Sequence, residues 1–269
     1  MKIGIAQLSS NDDIQQNYEQ IKKVLLNAKS EKPEVIFFPE NSLFFRISPS
    51  AAIQPISLND KVIFDLKEIC ADLKIAIHLT TAVIENDQVF NASIWIDTNF
   101  NAKIIYKKIH LFDIALDGQL PMRESDVFVH GNDPVIFNVN DFKVGSSICY
   151  DVRFAELYSV YAKAEVDIIL VPAAFLIKTG LAHWEVILRA RAIESQCYVI
   201  APAQSGGHRS ALGEFKRETF GHSLLIDPWG QIIQTKTEGI GCFFAELDRN
   251  HIQNVRKQIP MKTHRRIDF

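Results

Sequence analysis

Cys149 ends the apolar run Phe142-Lys143-Val144-Gly145-Ser146-Ser147-Ile148 and is followed at once by Tyr150-Asp151-Val152-Arg153-Phe154-Ala155-Glu156-Leu157, which reads as the start of a helix. A thiol at such a junction projects from the carboxyl edge of a sheet, and N–H groups at a helix start favour thiolate over thiol. Two other segments have the same form. Phe37-Phe38-Pro39-Glu40 sets a carboxylate at the end of a hydrophobic run where Pro39 ends the ladder, and Tyr106-Lys107-Lys108-Ile109-His110-Leu111-Phe112 does the same with a cation. Strand ends on one edge of a sheet converge in space, so Glu40, Lys108 and Cys149 can meet although far apart in the chain.

Singly, each has a bland explanation: a small buried hydrophobe, a solvated carboxylate, a solvated basic pair. Jointly they are a chemical set. A buried glutamate can take the thiol proton, the thiolate can attack a carbonyl, and a lysine with the backbone N–H of Tyr150 can hold the oxyanion. This is acyl transfer without a metal.

The elements that must position these groups are β-branched runs alternating with helical patterns. Residues 2–8 read as a strand, 12–30 as a helix with Ile14, Tyr18, Ile21, Leu25 and Ala28 at helical spacing, and 35–38 as a strand. Val62, Leu66, Ile69 and Leu73 mark a second helix face, followed by a strand over 74–84. Shorter strands follow at 92–96, 103–107 and 134–139, interrupted by a polar loop over 113–132, long enough to be a site wall. Beyond Cys149 the pattern predicts a helix to 164, a strand over 167–171, a helix over 182–196 and a strand over 197–201. Residues 222–226, 231–235 and 240–247 read as a meander around Asp227-Pro228-Trp229-Gly230, with a last helix over 249–258. The fold class expected is an α/β sandwich, two mixed sheets with helices outside, in one domain over 1–269, since no linker, repeat or change of composition marks a boundary.

The chain has 269 residues, 47% hydrophobic content and a net charge of −3, enough for a sizeable core and without the basic patch that nucleic acid or an anionic membrane calls for. No apolar run approaches a membrane span, and a small-molecule partner is the expectation. Cys70, Cys149, Cys197 and Cys242 are far apart with no CxxC spacing, which points to a reducing, cytoplasmic compartment. A zinc hydrolase is the enzymatic rival, because His183 and Glu185 share a predicted helix, but HExxH and paired Cys/His spacings are absent.

The segments Phe38-Pro39-Glu40, Tyr106-Lys107-Lys108-Ile109-His110-Leu111 and Ser147-Ile148-Cys149-Tyr150-Asp151-Val152-Arg153-Phe154 resemble, in order and over essentially the whole chain, the Glu, Lys and Cys motifs of the nitrilase superfamily of carbon–nitrogen hydrolases. The resemblance implies a four-layer α-β-β-α sandwich, a Cys thioester mechanism, no cofactor, no metal and a homodimer or higher homo-oligomer. It assigns the lysine role to Lys108, with Lys107 where arginine is usual, and gives Glu124 of Met122-Arg123-Glu124-Ser125 the role of the family's second glutamate. The span from Gly180 to Val199, Gly221-His222-Ser223 before Asp227-Pro228-Trp229-Gly230, and His264-Arg265-Arg266-Ile267-Asp268 are similar to the branch containing omega-amidases and deaminated-glutathione amidases. Gly118-Gln119-Leu120-Pro121-Met122, Glu194-Ser195-Gln196-Cys197 and the His-Arg-Arg ending look more like the deaminated-glutathione type.

That resemblance implies hydrolysis of deaminated glutathione to 2-oxoglutarate and cysteinylglycine, a substrate that needs a cationic anchor. Arg153, one turn beyond Cys149, fits that need through a bidentate pair, and by family position Phe175 shapes the acyl chain while the Thr179 hydroxyl binds an oxygen. The alternatives are an omega-amidase acting on 2-oxoglutaramate and a nitrilase-fold interaction protein without chemistry. Against the latter stands the full set Glu40, Lys108, Glu124 and Cys149.

Overall fold

The computed structural model describes residues 1–48, 51–115, 123–211, 213 and 216–267. Gly118-Gln119-Leu120-Pro121-Met122 and Asp268, which carry part of the branch resemblance, lie outside the described residues. In chain order the elements are β1 (Lys2–Gln7), α1 (Ile14–Asn27), β2 (Val35–Phe37), α2 (Lys61–Leu73), β3 (Ala76–Glu85), β4 (Gln88–Ile96), β5 (Ala102–Lys107), β6 (Val135–Val139) and β7 (Phe142–Ser146). They continue with α3 (Ala155–Lys163), β8 (Ile168–Leu170), α4 (Ile177–Ser195), β9 (Tyr198–Ala201), β10 (Ser205–Arg209), β11 (Lys216–Phe220), β12 (Ser223–Ile226), β13 (Ile232–Lys236), β14 (Gly241–Glu246), α5 (Arg249–Gln258) and α6 (Met261–His264).

Two six-stranded mixed sheets, ordered β14-β1-β2-β3-β4-β5 and β13-β12-β9-β8-β7-β6, form the centre. Ile3, Ile5, Val35 and Phe37 of the first sheet pack against Val144, Ile168, Leu170 and Ile200 of the second. The opposite face of the first sheet is covered by α1 and α2 through Tyr18, Ile21, Leu25, Ile63 and Leu66. The second is covered by α3 and α4 through Leu157, Tyr161, Trp184 and Leu188. The result is the expected α-β-β-α sandwich. Because β2, β8 and β9 are buried on both faces, their sequences are continuous apolar runs rather than alternating ones.

Three features differ from the sequence reading. The segment Gly241–Glu246 does not continue the meander; it crosses to the first sheet and pairs antiparallel with β1, Lys2 opposite Glu246. Phe243 then faces the inter-sheet core while Cys242 and Phe244 pack on the other face, so the strand needs two covered sides that an edge beside β13 does not offer. Helix α4 begins at Ile177, a turn before the expected start. Gly180 looks like a breaker there, yet a Cβ at this position would sit 2.2 Å from the Phe220 ring, so glycine admits the contact that fixes the first turn. The hairpin β10/β11 was invisible, because Ser205-Gly206-Gly207-His208-Arg209 shows no alternation of apolar residues.

Two buried histidines keep charge out of the core. His78 on β3 is fully buried beside Phe37 with neither ring nitrogen partnered among the described residues, and burial pulls its pKa down to about 3. His208 is pulled down to about 4, chiefly by burial. Both stay neutral in the fold but protonate near their ordinary pKa when unfolded, so stability is full above about pH 6.5 and is lost as pH falls toward 4. Each adds up to about 1.4 kcal/mol per pH unit to that slope. Urea midpoints should therefore fall between pH 7.5 and pH 5, and His78→Leu should flatten the dependence; equal midpoints at the two pH values contradict this.

Candidate active site

Glu40 stands three residues beyond the end of β2 on a loop with little freedom. The Phe38 N–H donates to the His78 carbonyl at 2.8 Å, Ser42 Oγ donates to the Pro39 carbonyl at 2.6 Å, and Gln204 Nε2 donates to the Glu40 carbonyl at 2.9 Å. The side chain is 2% exposed. Its Oε1 accepts from Asn91 Nδ2 at 2.9 Å and from Lys108 Nζ at 2.8 Å, and its Oε2 accepts from the Ala174 N–H at 3.0 Å.

Lys108 follows β5 directly and turns inward, 1% exposed, while its neighbour Lys107 turns out to Glu85 at 2.5 Å and covers the Phe90 ring. The Lys108 ammonium lies between Glu40 and Glu124, each 2.8 Å away. Glu124 begins a short 3₁₀ turn and its Oε2 also accepts from the Phe112 N–H at 2.9 Å. Although burial opposes it, Glu124, Glu40 and Cys149 hold the Lys108 pKa well above its usual value, so the group is a permanent cation. The ammonium meets one oxygen of Glu40 and both oxygens of Glu124.

Cys149 opens a five-residue 3₁₀ turn, Cys149–Arg153, with φ of 49°, a left-handed conformation that a cysteine adopts only under constraint. Its N–H donates to the Pro172 carbonyl at 2.9 Å. The constraint comes from Asp151, fully buried, which sequence reasoning did not single out. Its carboxylate accepts from the Ile148 N–H at 2.9 Å, the Tyr106 hydroxyl at 2.7 Å, and both the N–H and Nδ1 of His110 at 2.9 and 2.7 Å. Tyr106 and His110 bracket Lys108 two residues to either side, so one carboxylate registers the lysine segment against the cysteine turn. The signal was present in that symmetric spacing.

The expectation that a helix start would favour thiolate is corrected. Burial, then the Glu40 charge, push the Cys149 thiol well above its ordinary pKa, with Lys108 opposing. The turn is short and already capped by the Asp151 carboxylate, so little dipole remains to act on the sulfur. The Cys149 thiol thus holds its proton more firmly than a free cysteine, with the Glu40 carboxylate as a hydrogen-bonding neighbour.

Glu40, Lys108, Glu124 and Cys149 line a cavity of about 1160 Å³. The Arg153 guanidinium stands at its wall, 5.8 Å from the Tyr150 ring centroid and 5.3 Å from that of Phe175, with NH1 3.1 Å from His183 Nδ1. Phe175 packs on Trp184 at 4.6 Å. Thr179 lines the cavity, but its hydroxyl proton goes to the Leu176 carbonyl at 3.2 Å, which leaves only lone pairs for a ligand. Of the pair considered for zinc, His183 meets Arg153 and Glu185 lies 3.5 Å from Arg189. Among the described residues no group of three or more His, Cys, Asp or Glu side chains could hold a metal ion.

The carbon–nitrogen hydrolase family model matches residues 2–257. A deaminated glutathione amidase of Dictyostelium discoideum is 33% identical over 283 residues, covering 99% of this chain and 94% of the relative. The nitrilase and fragile histidine triad fusion protein NitFhit of Caenorhabditis elegans is 33% identical over 275 residues, and this chain spans only 61% of that protein's length. Its crystal structure superposes with a TM-score of 0.86 at 32% identity, covering 98% of this chain and 65% of that one. Saccharomyces cerevisiae Nit3, a member of branch 10 of the nitrilase superfamily, superposes with a TM-score of 0.81 at 26% identity, covering 99% of this chain and 97% of that one.

Two outcomes follow from the geometry. Asp151→Asn should lower the free energy of unfolding by about 3 kcal/mol and amide hydrolysis at least tenfold, measured by urea titration and kcat. The alkylation rate of Cys149 by iodoacetamide, followed by peptide mass, should keep rising beyond pH 9, where an ordinary cysteine levels off; a plateau below pH 8 contradicts the raised pKa.

Proposed function

Since the chain belongs to the carbon–nitrogen hydrolase family and is an enzyme acting on amides, we propose that it hydrolyses deaminated glutathione through a thioester on Cys149. The observation that carries this reading is the buried Lys108 cation, held by Glu40 and Glu124 beside a cysteine in a left-handed turn. Glu40 accepts the Cys149 proton as sulfur bonds to the amide carbon and the carbonyl pair moves onto oxygen. Lys108 Nζ and the Tyr150 N–H stabilise that oxyanion. The carbonyl re-forms, the C–N bond breaks, and Glu40 returns the proton to the departing amine. A water then gives a proton to Glu40 while its oxygen attacks the thioester; the C–S bond breaks and the proton restores the thiol. Glu124 positions Lys108 throughout.

The substrate class is supported by charge. Although the chain as a whole carries −3, the described residues lining the cavity include seven lysines and arginines against four acidic side chains. Such a wall favours an anionic ligand, and Arg153, stiffened by two rings and His183, is the anchor for the 2-oxo acid carboxylate, with Phe175 and Thr179 along the acyl chain. The omega-amidase reaction on 2-oxoglutaramate uses the same acyl group and is the second reading.

We further infer that the chain acts as one domain and as a homo-oligomer. Val186 and Ile193, which share one face of α4, and Trp229, next to the Gly230 that packs against Ile193, are exposed apolar side chains, a surface that a second copy would cover. A cytoplasmic setting is supported by four free cysteines. No helix among the described residues is long and apolar enough to cross a membrane.

Steady-state kinetics on both amides test the assignment. The expected kcat/KM for deaminated glutathione exceeds that for 2-oxoglutaramate by tenfold or more, and the reverse order would move the protein to the omega-amidase reading with its mechanism intact.

A further inference from the structure

Among the cavity cations with no part in the chemistry above, Arg217 is set apart by its burial. Arg217 lies on β11, opposite His208 of β10, so the polar hairpin carries its guanidinium to the cavity wall. The group stacks over Phe45 with 4.6 Å from carbon to ring centroid, and NH1 donates to the Arg46 carbonyl at 3.3 Å. Its Nε–H is buried and meets no acceptor among the described residues. A buried donor without a partner is costly, and a guanidinium is suited to answering it with both oxygens of one carboxylate. Arg46, which also lines the cavity, brings a second cation rather than a carboxylate to its side.

The residue lines the same cavity as Glu40, Lys108, Glu124 and Cys149. Burial lowers the Arg217 pKa, while the charges of Glu40, Glu124 and Cys149 act the other way, so the guanidinium is within electrostatic reach of the nucleophile. Arg153 is fixed by Tyr150, Phe175 and His183, and Arg217 by Phe45 and Arg46; the two sets share no residue. The cavity therefore presents two separate anion anchors around one cysteine. Once a 2-oxo dicarboxylic acid is amidated, it has a single free carboxylate on its acyl part. A second anchor has a use only when the amine part is itself an anion.

We propose that Arg217, with Arg46 beside it, binds a carboxylate on the amine side of the scissile bond, so that the enzyme selects amides whose leaving amine ends in a carboxylate, such as a short peptide. This rests on the assignment of Cys149 and Arg153 made above. It also accounts for the size of the cavity, which exceeds what an unsubstituted amide needs.

The test uses the full chain and three substrates: deaminated glutathione, the same molecule with its terminal carboxylate converted to a carboxamide, and 2-oxoglutaramate. Wild type should prefer the acid over the carboxamide by tenfold to a hundredfold in kcat/KM, the range expected for a charged hydrogen bond. In Arg217→Met that ratio should collapse to about one, mainly through KM, and Arg217→Lys should keep an intermediate ratio. Melting temperatures of both variants establish that they are folded. A wild type without preference, or a ratio unchanged in folded Arg217→Met, overturns the role of Arg217 while leaving the amidase assignment in place. A wild type that hydrolyses 2-oxoglutaramate alone overturns the deaminated-glutathione assignment and this site with it.

Discussion

Moving the Lys108 ammonium out of water costs several kcal/mol, and the fold recovers that cost only while two carboxylates stay within 2.8 Å of it. That condition constrains the rest of the molecule. Glu40 must come from the end of β2, Lys108 from the end of β5 and Glu124 from the loop after it, so the first sheet has to bring β2 and β5 to one edge across β3 and β4. Asn91 on β4 then fills the remaining space, donating to Glu40 with its side chain and accepting the Lys108 N–H on its carbonyl. Cys149 comes from the second sheet, so the packing between sheets becomes a condition of the chemistry. Asp151 ties them side to side through Tyr106 and His110.

The parts legible in the sequence were those that a strand or helix period announces. Glu40, Lys108 and Cys149 each end an apolar run, and a polar group at such a place has few uses. Glu124 could be assigned only through resemblance, because a loop carboxylate carries no local signature. Asp151 and Arg217 were missed for a physical reason: each gains its role from partners on other segments, and Arg217 sits on a hairpin whose glycines and polar residues hide its strands. The electrostatics of Cys149 had the wrong sign in the sequence reading, since burial and Glu40 outweigh a short capped turn.

The separation of charge within the molecule also follows from burial. The exterior leaves the chain mildly acidic, the cavity gathers cations, and the Lys108 ion cluster is closed by its own counter-charges. For the anionic amide proposed above, the arginines that stack on Phe45, Tyr150 and Phe175 are already oriented. Little ordering is then left for the substrate to impose, which is how a preformed site gains affinity.

The central claim is that the ion cluster exists to make Cys149 carry an acyl group. Rapid acid quenching of the enzyme during turnover of deaminated glutathione, followed by intact-protein and peptide mass spectrometry, reads it directly. The account predicts a 2-oxoglutaryl adduct on the peptide containing Cys149, absent in Cys149→Ala, and greatly diminished in Glu40→Gln and Lys108→Met. Turnover by Cys149→Ala at the wild-type rate, or an acyl group on any other residue, would contradict it.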